Sequence, residues 1–248
     1  MAPANLSILS VPKWGNALNI LALDTALASC SVALWRDGAI DARCFALMDR
    51  GQSEAIMPMV RQVMAEAGAQ FADIDLVAVT IGPGAFTGLR IGLAAARGLA
   101  LAAGLPCLGV TTLEAVAAGI PAAERIAGTV LVVLETKRAD VYAQSFGAQA
   151  IDDDLKPLNS PSAVAPESLV HAVGSGVAGR LIVVGSAAPR VVAALRQAGV
   201  PASLSAAPGL PDAAVIAGIA AWRWRPGQVL APPAPLYLKP PAVTRSLV

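Results

Sequence analysis

Residues 76–92 read LVAVTIGPGAFTGLRIG, and this stretch sets the architecture of the chain. LVAVTI is an apolar run of strand length, Gly82-Pro83-Gly84 is a turn, and a helical pattern follows from residue 86 to residue 103, closed by Gly104 and Pro106. A strand, a tight turn and a long helix in that order are the building unit of an α/β protein. The loop admits two readings. Glycines let a backbone approach a ligand, Pro83 fixes the turn, and the helix start offers unpaired N–H groups to an anion. Alternatively the glycines only make the turn tight. No Gly-Lys-Ser/Thr follows, so this is not a Walker A loop.

The helix itself carries a second pattern. Gly84, Gly88, Gly92, Ala96 and Ala100 recur every four residues and form a smooth ridge, with Arg90 and Arg97 on a different face. The preceding helix, residues 53–67, places Ile56, Val60, Val63, Met64 and Ala67 at helical spacing and stops at Gly68; Met57, Met59 and Met64 are soft side chains suited to an adaptable contact. The ridge either packs against a sheet or docks another protein. The docking reading makes Met57, Val60, Met64, Gly88, Gly92 and Ala96 the candidate partner interface.

Upstream, residues 19–25 (NILALDT) read as a buried strand and residues 30–35 (CSVALW) as the next. Arg36-Asp37-Gly38 turns the chain into a third strand over 39–47. Asp24 ends the first strand, where a carboxylate either holds a metal–phosphate complex or starts the turn. With Gly82, Gly84 and Thr87 it forms a candidate vestigial phosphate loop. Downstream come a strand over 107–110 and a helix capped by Thr112 through residue 118. The second half follows the same plan more loosely, with strands at 129–134 and 141–146, an unpatterned loop over 151–166, a helix over 166–173, a strand over 181–184, and helices over 188–198 and 212–224. Residues 226–241 are proline-rich and cannot be regular helix. The expectation is an extension (1–18), a first lobe (19–118) and a second lobe (119–248), with the last helix packing back and a proline-rich tail.

Composition sets bounds. The 248 residues are 56% apolar and 14% charged, enough for a large core and no basis for disorder. The formal net charge of +1 argues against a chain that grips nucleic acid alone. Mean hydropathy is +0.63; the longest uncharged run, residues 98–113, is interrupted by Gly104 and Pro106 and is too short for a membrane span. No secretory signal is legible at the start, so a cytoplasmic location is expected. Cys30, Cys44 and Cys107 lack metal spacing and read as reduced, packed thiols. With one histidine, His171, no His-based triad or multi-His metal site can be built. The same count leaves a peptidase little to stand on. Glu135, Lys137, Arg138 and Asp140 read as a solvated turn.

Together these residues resemble a known family. Residues 20–35 (ILALDTALASCSVALW), Met57-Pro58-Met59-Val60, residues 82–92 (GPGAFTGLRIG) and Gly109-Val110-Thr111-Thr112-Leu113-Glu114 are similar to the TsaB family, also called YeaZ. The similarity covers residues 19–118 well; Val141-Tyr142 and Pro235-Leu236-Tyr237-Leu238 extend it weakly. The resemblance implies an α/β fold of two ribonuclease-H-like lobes of the actin/sugar-kinase/Hsp70 (ASKHA) type. It implies a non-catalytic subunit, with no catalytic or metal-binding residues of its own. It further implies a heterodimer through the first two long helices with TsaD, the paralogue that transfers threonylcarbamoyl to N6 of the adenosine beside the tRNA anticodon. The TsaE ATPase is the expected third component, tRNA is reached only through the complex, and in isolation both a homodimer and a monomer stay open. No tightly bound cofactor is expected; a nucleotide at a complex interface is compatible with the resemblance, and binding by the chain itself stays open. Departures fit that role: Thr112 and Val116 stand where the TsaD pattern has an HxxxH metal pair, Val184-Gly185-Ser186 replaces a double glycine, Gln52 replaces a frequent histidine, and residues 135–140 (ETKRAD) replace a D-x-R-x-G-E turn. The rival reading is a small-molecule kinase or ATPase of the same fold, using Asp24 and the loop from Gly82 to Gly88.

Overall fold

The structure is a computed structural model that describes residues 18–125, 128–136, 138–148, 155–169 and 180–239. The first sheet contains β1 (Asn19–Asp24), β2 (Ser29–Arg36), β3 (Ala39–Leu47), β4 (Leu76–Gly82) and β5 (Cys107–Thr111), in the order β3-β2-β1-β4-β5. Strand β2 runs antiparallel to β1 and β3, whereas β1, β4 and β5 are parallel. Both faces of the central strands are apolar because both are covered. Leu21, Leu23, Val32, Leu34, Val77 and Val79 face α1 (Gln52–Glu66) and α2 (Phe86–Ala103). Their neighbours Ile20, Ala22, Ala33, Trp35, Leu76 and Ala78 face the other way. The period of two in the sequence thus becomes two cores.

The second sheet repeats this plan with β6 (Gly128–Glu135), β7 (Val141–Ala148), β8 (Leu155–Pro157), β10 (Arg180–Val184) and β11 (Ala202–Leu204), in the order β11-β10-β6-β7-β8. Strand β9 (Ser162–Val164) also pairs with β7, so the third strand is present in two short pieces. Strands β6, β10 and β11 are parallel and β7 antiparallel, as in the first sheet. Each lobe is ribonuclease-H-like, and the pair has the ASKHA architecture.

Two helices cross the boundary. Helix α3 (Thr112–Ala118) lends Leu113, Val116 and Ala117 to the core beneath the second sheet. The helix Ala213–Arg223, late in the chain, covers the second face of the first sheet. It follows α4 (Ala122–Arg125) and α5 (Ala188–Gln197), which backs the second sheet, and is α6.

Several expectations shift. The cap of α3 is Thr111, not Thr112: its hydroxyl accepts from Glu114 N–H at 3.1 Å while the Glu114 carboxylate accepts from Thr111 N–H at 3.0 Å. The span 151–166 holds β8 and β9, whose three-residue lengths carry too little pattern to read, and β11 escapes sequence reading for the same reason. Residues 166–169 are helical; the rest of that expected helix, with His171, lies outside the described residues, as do Lys137 and residues 1–17. By length and composition α2 could cross a membrane. Here it is a layer helix, with Leu89, Leu93, Ala96 and Ala100 against the sheet and Arg90 and Arg97 outward.

Candidate functional site

The chemistry-bearing residues meet where β1 ends and α2 begins. Asp24 is fully buried. Its Oδ1 accepts from the Thr80 hydroxyl at 2.6 Å and from Ala26 N–H at 3.1 Å, while Oδ2 makes no well-formed hydrogen bond. Burial pushes its carboxyl up to about 7; the Thr80 and Ala26 contacts pull it back, and nearby Asp212 raises it further. A carboxyl sealed this way sits poorly with holding a metal–phosphate complex from solvent.

Asp212 lies at the start of α6, capping it through Ala214 N–H at 2.9 Å. Its carboxylate pairs with Arg43 from the edge strand β3, Nε standing 3.0 Å from Oδ1. Ser31 accepts from Ala213 N–H at 2.9 Å. The start of α6 therefore closes over β1 and β2 beside Asp24.

The glycines serve this packing. A Cβ on Gly84 would lie 2.4 Å from the Ala26 carbonyl oxygen, on Gly88 2.2 Å from the Thr25 carbonyl oxygen, and on Gly92 2.6 Å from Thr25 Oγ1. Ala85 N–H donates to Ala26 O at 2.8 Å, and the Thr25 hydroxyl donates to Gly88 O at 2.6 Å. The ridge is thus the seat of α2 on the turn after β1. This corrects the partner-interface expectation: Val60, Met64, Gly88, Gly92 and Ala96 are buried within the chain, and of the six only Met57 is exposed. Spacing alone could not tell an inward ridge from an outward one. The outward face of α2 instead carries Arg90, Ala94, Arg97, Gly98, Leu101 and Ala102, with Leu101 86% exposed and nothing within 4 Å of a Cβ on Gly98. Ala94, Gly98 and Ala102 make a second small-residue ridge, which the sequence reading overlooked.

Of the candidate phosphate-loop residues, Asp24 and Gly84 come together through Ala26, while Thr87 is exposed. Gly82 turns the other way, its Cβ position 2.9 Å from the Leu236 carbonyl oxygen. Thr112 and Val116 are buried side chains without an imidazole between them, and among the described residues no three His, Cys, Asp or Glu side chains converge. The cysteines are free, burial pushing Cys30 up to about 12 and Cys107 up to about 11. At the equivalent end of the second lobe, Gly185 packs on Val133 O and the Ser186 hydroxyl accepts from Glu135 N–H at 2.9 Å. The turn expected to be solvated is tied down. Glu135 pairs in bidentate fashion with Arg190 at 2.8 Å, and Asp140 pairs with Lys239.

Sequence reasoning assigned no role to Thr80, Thr25 or Arg43 because their partners lie far along the chain. Asp212 alone left a legible mark, as a capping residue ahead of an apolar helix.

Comparison with known proteins agrees with this architecture. Residues 46–172 match the family model described as TsaD, tRNA N6-adenosine threonylcarbamoyltransferase. The tRNA threonylcarbamoyladenosine biosynthesis protein TsaB of Escherichia coli K12 is 37% identical over 171 residues, covering 68% of this chain and 71% of that protein. The protein of the same name from Haemophilus influenzae is 32% identical over 138 residues, 56% of this chain and 58% of that one. Among solved structures, YeaZ from Pseudomonas aeruginosa superposes with a TM-score of 0.75 at 28% identity, covering 89% of this chain and all of that one (100%). Sequence, topology and these relatives agree: the chain belongs to the TsaB (YeaZ) family of tRNA threonylcarbamoyladenosine biosynthesis proteins.

Proposed function

We propose that this chain acts in tRNA threonylcarbamoyladenosine biosynthesis as the non-catalytic subunit that binds and activates TsaD. The carrying observation is the outward face of α2: an 18-residue helix presents Ala94, Gly98 and Ala102 in a row beside an 86% exposed Leu101. A mid-helix glycine costs about 1 kcal/mol relative to alanine, and among the described residues nothing lies within 4 Å of a Cβ at position 98 to require one. A partner helix approaching closely would. Helix α1 packs beside α2, and its Met57, Pro58 and Arg61 are also exposed.

The non-catalytic reading rests on Asp24 being sealed, on the loop glycines being occupied by the chain's own backbone, and on Thr112 and Val116 replacing metal ligands. The same features weigh against a kinase or ATPase. In this proposal the pair works in the cytoplasm with TsaE, tRNA is engaged only through the complex, any nucleotide sits at a subunit interface, and the chain alone pairs with itself through the same face.

The test is size-exclusion chromatography and titration with the chain's own TsaD, using Gly98→Leu and Leu101→Glu. Both point outward and leave the monomer folded, and each is expected to weaken binding by roughly tenfold or more, as central interface positions do. Unchanged affinity in both variants would remove this face from the proposal. Threonylcarbamoylation of tRNA by this chain without TsaD would remove the non-catalytic role.

A further inference from the structure

The glycine loop is covered by a segment from the far end of the chain. After α6 the chain runs through Pro226, Pro232, Pro233 and Pro235, whose fixed φ angles stiffen an extended segment and lower the entropy lost on ordering it. This tail returns to the first lobe. Pro233 is buried, its Cβ 3.2 Å from where a Cβ on Gly109 of β5 would lie. Leu236 N–H donates to the Ile81 carbonyl at 2.7 Å, extending β4 by one strand-like contact. Gly82, at φ +110°, leaves room for the Leu236 carbonyl, which would stand 2.9 Å from a side chain at that position.

One residue further, Tyr237 stacks on Phe86 at the start of α2, ring centroids 5.6 Å apart and planes inclined by 29°. The Arg90 guanidinium lies 3.8 Å from the Phe86 ring centre and its Nε donates to the Tyr237 hydroxyl at 3.3 Å. The arginine nearest the loop is thus engaged by the tail. Lys239 then reaches the second lobe and pairs with Asp140, in the turn between β6 and β7 that Arg190 also holds through the Ala139 carbonyl at 3.2 Å.

We propose that residues 233–239 are a strap: the loop at Gly82 is shaped to receive this chain's own tail, which covers it and ties the first lobe to the β6–β7 turn of the second. Any ligand approaching Gly82 must first displace Leu236. The strap rests on contacts within the chain and is independent of the TsaD reading.

Hydrogen exchange of the full chain, resolved to peptides, tests it. Tyr237→Ala is expected to speed exchange by roughly tenfold in residues 81–90 and, because the strap is continuous, in residues 138–141 as well, with the cores of β1 and β6 unchanged. Lys239→Glu is expected to release residues 138–141, while Tyr237→Phe and Lys239→Arg retain the protection of the parent. The strap is overturned if Tyr237→Ala leaves residues 138–141 unaffected, if Lys239→Glu and Lys239→Arg behave alike, or if exchange rises equally throughout both sheets.

Discussion

The first strand of each lobe ends in a carboxyl residue, Asp24 on β1 and Glu135 on β6, and the two have opposite surroundings. Asp24 is fully buried and burial pushes it up to about 7. The Glu135 side chain is 45% exposed and grips Arg190 with both oxygens at 2.8 Å. The topology that delivers them is the same, so strand position does not decide the chemistry. What differs is the cover. In the first lobe three glycines let α2 settle on the turn after β1, and Asp212 brings α6 down from the other side. In the second lobe Gly185 settles on Val133, two residues before the strand end, and leaves Glu135 outside. Cover, and not strand position, therefore separates the two carboxyl groups.

The junction glycines should give the largest effects. Gly88→Leu places its Cβ 2.2 Å from the Thr25 carbonyl, a backbone atom that cannot move without undoing the turn, and is expected to abolish stable folding. Alanine at Gly88, and at Gly185 where φ is +111° and Val133 O is 2.2 Å away, is expected to cost about 2–4 kcal/mol in urea denaturation. If Gly88→Ala matched the parent's midpoint while Gly185→Ala did not, the seating of α2 would be wrong and the contrast between lobes would lose its cause.

The sealed carboxyl comes next. Asp24 holds its proton up to about pH 7 in the folded chain, against about 4 when unfolded. Between these values the folded state binds more protons, so this group's contribution is full below pH 4 and is lost as pH rises through 7. That gap of about three pH units corresponds to an upper bound on the order of 4 kcal/mol. Asp24→Asn keeps an acceptor for Thr80 and carries no charge. It should flatten that slope and be more stable than the parent at pH 8. Glu135→Gln should leave the slope in place. Identical pH profiles for the parent and Asp24→Asn would mean that the carboxyl reaches solvent.

How much of this was legible depends on distance along the chain. The first lobe could be read because its strands are long and apolar and its hairpin, glycine turn and helices follow one another closely. The second could be read only in part: β8, β9 and β11 are three residues each, too short for a period of two to register. Small-residue spacing on α2 was visible, but its direction was not, since inward ridge 84-88-92-96-100 and outward ridge 94-98-102 have the same period. The seal over Asp24 depends on Asp212, and the cover over Gly82 on Leu236, each more than 150 positions away. No local pattern carries such contacts; only the packing of α6 and the tail reveals them.

The smallest effects are expected at the open carboxylate. An exposed ion pair gives up most of its Coulomb energy to water and salt, so Glu135→Gln should cost no more than about 0.5 kcal/mol and less at high ionic strength. Arg190→Ala should cost somewhat more, about 1 kcal/mol, because the guanidinium also donates to the Ala139 carbonyl at 3.2 Å and the Asp140 carbonyl at 3.4 Å, and those bonds do not depend on Glu135. Urea denaturation of both variants at low salt and in about 1 M salt separates the parts: the Glu135 effect should shrink with salt while most of the Arg190 effect persists. A salt-insensitive loss of several kcal/mol on Glu135→Gln would show that this carboxylate is as enclosed as Asp24, and the two lobes would then differ in sequence but not in environment.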